Sequence, residues 1–300
     1  MSTEMNCIFT GRDADSDEHV IPRWLQTRFG LSEQTMVIPN GTTLKYKFHK
    51  VPATTEANNL FGTIEDRISR GVFDLAEIYL WALKIHIGCI YRDASLRFDI
   101  RDKSSPFILD VSNFSQEVWL FQLLFNNWAN GGKTVPSPFG SVFIVDSLSS
   151  TPRFDFMHCL ITGAVGIDIG GKFILVFLWD QGDAMRANTL DSWDKWHSPR
   201  VKALAGTAEF DDNCYLAPHV WACESAYWIY RHRRPYSMFK TPGQITLIPP
   251  SGRPNGKPFQ EDEYRRVCRN FGLDLVRSNG ELNNMYQPLK DLTRGNAGGE

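Results

Sequence analysis

Gly170-Gly171 lies between two long apolar runs, Phe156–Ile169 and Lys172–Trp179. Two successive glycines supply positive φ at no steric cost, which is what a tight hairpin turn demands, so the flanking runs are expected to pair antiparallel. Together with a further extended run at Ser141–Val145, this rules out an all-helical chain and calls for an antiparallel sheet in the later half. Gly163 and Gly166 fall inside the same pattern and are not ordered as a phosphate-cradling loop. Other stretches follow a helical pattern. Leu75–Ile90 and Val118–Trp128 are apolar on nearly every side and read as buried helices, both shorter than the roughly 18–20 residues needed to span a bilayer. Further helices are expected around Leu216–Arg231 and Glu261–Phe271. Residues 72–300 therefore read as a mixed α+β domain, ending in a polar tail, Arg294–Glu300, that cannot support a core.

Forty-two per cent of the 300 residues are hydrophobic, including nine Trp and twenty Phe, which is ample for a packed interior. Thirty-two basic residues against 34 acidic ones give a net charge of −2, so no global field draws the chain to a polyanion and any nucleic-acid contact must be local. The first residues lack the basic segment and apolar run of a secretory signal. The six cysteines are too sparse for a disulfide scaffold. A cytoplasmic protein with no membrane contact is the expectation.

The first 71 residues read as a separate module. A turn-rich stretch, Thr10–Asp17, precedes the apolar run Val20–Leu25, and extended pieces are expected at Met36–Pro39 and Thr43–Val51. Apolar residues at Ala57, Phe61, Ile64 and Ile68 then recur at helical spacing, predicting a helix over Glu56–Ser69, capped by Thr54 or Thr55 and closed at Arg70-Gly71. Within this frame stand Cys7-Ile-Phe-Thr10-Gly11, then Glu18-His19-Val20-Ile21-Pro22-Arg23, then Val51-Pro52-Ala53-Thr54 leading to Asn58-Asn59 and Glu65-Asp66. The order resembles the HNH (ββα-metal, His-Me finger) endonucleases, in which a CxxC precedes an acidic-His-Val/Ile-Pro element and a CxxC-Asn-Asn element opens a helix bearing acidic residues. The resemblance covers about a quarter of the chain. It implies an α+β protein with an N-terminal ββα-metal module, 1–71, followed by an accessory or target-recognition domain, 72–300.

Phosphodiester hydrolysis needs a base for the attacking water and a cation to offset charge on the phosphate. His19 suits the first task because imidazole titrates near neutrality, and Glu18 offers the hard oxygen that Mg²⁺ or Mn²⁺ prefers. Asn58, Gly62 and Glu65 share one helix face, with Asn58 and Glu65 about 10 Å apart along the axis, too far to ligate one ion together. By resemblance, Asn58 braces the segment bearing His19, and Glu65 joins Glu18 on one divalent ion. Asp66, turned about 80° away, is the alternative ligand. Three of the four zinc-binding positions of the family carry Thr10, Thr54 and Ala57, so Cys7 alone is not expected to hold a structural zinc.

Arg23 and the cluster Arg231, Arg233 and Arg234, followed by Tyr236, are the candidate contacts to nucleic acid, DNA being the expected substrate. Cys214, His219 and Cys223 have ligand-like spacing but lie in an apolar helical pattern and read as core. Stand-alone proteins of the HNH type often serve bacterial or phage defence or mobile elements. The resemblance leaves open a homo-oligomer or a protein partner bound through the later domain. It also leaves open a non-catalytic nucleic-acid-binding or assembly protein that keeps the HNH-like core.

Overall fold

A computed structural model describes residues 6–135, 137–146, 154–160, 162–182, 237–241 and 244–248, with residues 185, 262 and 266. The protein is mixed α+β with small antiparallel sheets. It divides into two units, Met1–Val142 and Phe143–Glu300.

In the first unit, strand β1 (Ser16–His19) pairs antiparallel with β4 (Lys50–Ala53), in register Glu18↔Val51 and His19↔Lys50. Between them lie helix α1 (Arg23–Arg28), started by Pro22, and a hairpin of β2 (Thr35–Val37) and β3 (Thr43–Lys45). The expected single strand Thr43–Val51 is broken by a 3-10 turn at Tyr46–Phe48, so that only Lys50–Ala53 feeds the next helix. That helix, α2 (Thr55–Ser69), is capped by Thr54, whose hydroxyl accepts from the Ala57 amide. Ala57, Phe61, Ile64 and Ile68 are buried on one face, as their spacing requires. Gly71, at φ +80°, supplies the left-handed residue that ends it.

The boundary at residue 71 is where the structure departs most from the sequence reading. Helix α3 (Leu75–Ser95), capped by Asp74, packs against α2 and β4, and helix α4 (Ser115–Ala129) packs against α3. Residues 6–71 are not self-contained, because their core is completed by these two helices. Phe9 shows how: its ring lies 5.2 Å from Phe61 of α2, and 5.6 Å and 5.1 Å from Phe121 and Phe125 of α4. Gln122 of α4 also donates to the Ile8 carbonyl.

Gly88 of α3 lies against Val20, the residue that follows β1. A Cβ there would meet both γ-methyls of Val20 at 3.0 Å. Val20 is fully buried, and a β-branched side chain is stiff about χ1. Alanine gains about 1 kcal/mol of helix propensity over glycine but meets an overpacking cost of about 1–3 kcal/mol. Gly88→Ala is therefore expected to lower stability, by about 1 kcal/mol, in a urea unfolding series, and a stabilised variant would show that Val20 yields freely.

In the later part of the chain, β5 (Ser141–Asp146), β6 (Phe154–Cys159), β7 (Ala164–Ile169) and β8 (Lys172–Phe177) form a sheet in the order β5-β8-β7-β6. The hairpin at Gly170-Gly171 is present, with φ of +83° and +110°. The expected run Phe156–Ile169 is two strands rather than one, turned over at Gly163, φ +61°. A hairpin that the sequence reading lacked joins β9 (Ser237–Thr241) to β10 (Gln244–Ile248). The helices expected around Leu216–Arg231 and Glu261–Phe271 fall almost wholly outside the described residues, as do Arg231, Arg233, Arg234, Tyr236, Cys214, His219, Cys223 and the tail.

Candidate functional site

Four consecutive residues, Ser16 to His19, carry little apolar character, and they form a strand because β4 pairs with them across the module. Alternate residues of a strand project to opposite sides. Glu18, paired with Val51, is therefore buried on the inner side, while His19 and its partner Lys50 share the other, half-buried side. Toward α2 the strand therefore presents Glu18, which shares Lys84 with Glu65 of that helix.

Glu18 and Glu65, 47 positions apart in the chain, converge on a single cation, and that cation is a side chain. The Lys84 ammonium, from the middle of α3 and fully buried, pairs with Glu18 and lies 3.0 Å from Glu65 Oε1. It also donates to the His19 carbonyl at 2.6 Å and lies 3.5 Å from that of Val20. The ammonium thus ties both carboxylates to the backbone at the end of β1. Burial works against charge on Lys84, but Glu18 and Glu65 outweigh it and hold the pKa above its ordinary value. Burial pushes Glu65 up to about 7, against the pull of Lys84.

The remaining residues surround this centre. Asn58 donates from Nδ2 to the Asp17 carbonyl at 3.4 Å, tying α2 to the strand two residues before His19. Asp66, the alternative ligand, faces away from the carboxylate pair and is held by Arg70 at 2.5 Å on the exposed side of α2. Arg23 is exposed at the start of α1. The His19 imidazole is held below its ordinary pKa, first by burial, then by the positive charge of Lys50, with smaller contributions from Lys84 and Arg23 against the opposing pull of Glu18. It is neutral at pH 7, the form that can accept a proton.

Around Cys7, Thr10 and Thr54 the chain is held by hydrogen bonds. Gly11, at φ +68°, turns the chain so that its amide reaches the Cys7 carbonyl. The Cys7 sulfur accepts from the Thr54 amide at 3.1 Å and contacts the Thr54 hydroxyl at 3.8 Å. Cys7 is fully buried.

The donor atoms at the Glu18–Glu65 centre are all oxygens: two carboxylates and a carbonyl. Such donors suit a hard divalent ion. The point they share, however, is filled by Lys84 Nζ, and an ammonium and a divalent ion cannot occupy one point. As arranged, these residues do not fit Mg²⁺ or Mn²⁺, and Glu18 and Glu65 serve as partners of Lys84 in place of the metal-ligand roles given them by the sequence reading.

Lys84 itself escaped that reading. The signal was present, since Lys84 is the one lysine or arginine in the largely apolar run Leu75–Ile90, and a cation so placed must find a buried anion. No helix among the described residues is long and apolar enough to cross a membrane. Comparison with protein families, curated proteins and solved structures finds no match to this chain.

Proposed function

We propose that the first unit is an HNH-like ββα module that hydrolyses phosphodiester bonds in nucleic acid, DNA first among substrates, with His19 as general base. The observation that carries this reading is the convergence of Glu18 and Glu65 on one cation at the carbonyl of His19, in a strand braced by Asn58. In the reaction, neutral His19 takes a proton from water as the water oxygen attacks phosphorus. The bond from phosphorus to one sugar oxygen breaks, that oxygen takes a proton from solvent water, and His19 returns its proton to solvent, leaving a phosphate monoester and a hydroxyl. Arg23 and Lys50, the cations whose charge reaches His19 from outside the buried centre, offset the charge on the phosphate. No step is assigned to a divalent ion.

The test is incubation of the full chain with supercoiled plasmid and with single-stranded DNA and RNA, in EDTA and in Mg²⁺ or Mn²⁺. Cleavage of any of these supports the reading. Because the His19 pKa is lowered, the imidazole stays neutral as pH falls until that depressed value is reached. The acid limb of the rate profile is therefore expected below pH 6.5, and a limb above it would remove His19 as the base.

A second reading, a non-catalytic nucleic-acid-binding or assembly protein, is favoured by one observation: the cation point is closed by a buried lysine. Gel-shift binding of DNA without cleavage under all these conditions selects it.

A further inference from the structure

The Lys84 ammonium lies where two carboxylates from distant parts of the chain and a strand-end carbonyl converge. We infer that Lys84 is a built-in replacement for a divalent ion, so that the centre formed by Glu18, Glu65 and the His19 carbonyl is complete without metal and becomes a divalent-cation site only when the ammonium is removed. This goes beyond phosphodiester cleavage and holds whether or not the chain cuts nucleic acid.

Three features of the geometry lead to it. A surface lysine would leave its ion pairs open to exchange with water and ions, but Lys84 is fully buried and its partners are only 10% and 14% exposed. An ammonium has three donors. Here those donors face three close oxygens, on Glu18, Glu65 and the His19 carbonyl, with the Val20 carbonyl at 3.5 Å, so its capacity is spent within the centre. The oxygens are of the type and number that a small hard cation takes from protein, with water completing its shell. Lysine at this point supplies one positive charge where an ion would supply two, and it is fixed by the covalent chain rather than by solution concentration.

The experiment is Mn²⁺ titration of the full chain, read by the loss of the free-ion electron paramagnetic resonance signal. The parent and Lys84→Arg, which keeps the cation, are expected to bind no stoichiometric Mn²⁺ at this centre. Lys84→Ala exposes two carboxylates to each other and is expected to bind one Mn²⁺ with affinity raised at least about tenfold, lost again in Lys84→Ala/Glu65→Gln. If Lys84→Ala folds only when Mn²⁺ is present, by circular dichroism, the inference is equally supported. It is overturned if the parent binds one Mn²⁺ in a manner abolished by Glu65→Gln. It is also overturned if Lys84→Ala folds without metal and gains no binding, or if it neither folds nor is rescued by Mn²⁺. A failure of cleavage leaves all these outcomes untouched, so the two proposals fall separately.

Discussion

Replacing Lys84 by methionine is expected to lower the stability of the first unit by about 3–5 kcal/mol, because it leaves Glu18 and Glu65 buried against each other without a counter-charge. Methionine keeps most of the volume, so the loss reports charge rather than a cavity. For a unit of this size the drop in Tm is on the order of 10 °C or more. Unfolding can be followed by tryptophan fluorescence, since Trp81 lies on α3 and stacks at 6.4 Å with Trp24 of α1. The sharper expectation lies in the compensating variant. Lys84→Met/Glu18→Gln/Glu65→Gln removes the cation and both ionisable carboxyls and should recover much of the loss, since a buried ionic cluster is often no more stable than a neutral one of the same shape. A Lys84→Met protein as stable as its parent would show that the ammonium does not compensate the carboxylates.

His19→Ala is expected to reduce cleavage by about 10²–10⁴-fold, the usual contribution of a general base. Stability should change by less than about 1 kcal/mol, since the imidazole is half-buried, while the bond from Lys84 is made to the backbone carbonyl, which alanine retains. DNA binding by gel shift should hardly change, and added Mg²⁺ should not restore the rate, because the lost group accepts a proton. Arg23→Ala or Lys50→Ala, by contrast, should weaken substrate binding with a milder loss of turnover. Equal cleavage by parent and His19→Ala would remove the imidazole from the mechanism.

The elements that could be read from the sequence were those whose own residues determine them. Helix α2 follows from the spacing of Ala57, Phe61, Ile64 and Ile68 and from the Thr54 cap, and α3 from the apolar run Leu75–Ile90. The hairpin at Gly170-Gly171 was legible because only glycine enters that turn without strain. Strand β1 was not, since Ser16-Asp17-Glu18-His19 has almost no strand character and exists by pairing with residues more than thirty positions away. The same limit applies to the candidate site. The order of the residues placed Glu18, His19, Asn58 and Glu65 in one module, while the geometry brings Glu18 and Glu65 together and leaves the His19 side chain on the other side of the strand. The occupant of the centre was not, because Lys84 comes from a helix that the sequence reading assigned to the next domain.

That placement of Lys84 bears on how the module can be moved. A piece taken as the first 71 residues, for fusion to another domain, would carry Glu18 and Glu65 without the ammonium they share, and Phe9 without Phe121 and Phe125. The smallest piece that keeps its own counter-ion ends beyond α3, and the smallest that also keeps its roof ends beyond α4. Recombination in nature meets the same constraint: a crossover between α2 and α3 separates a charge from its partner, whereas one after α4 leaves both halves of the ion pair with the same parent.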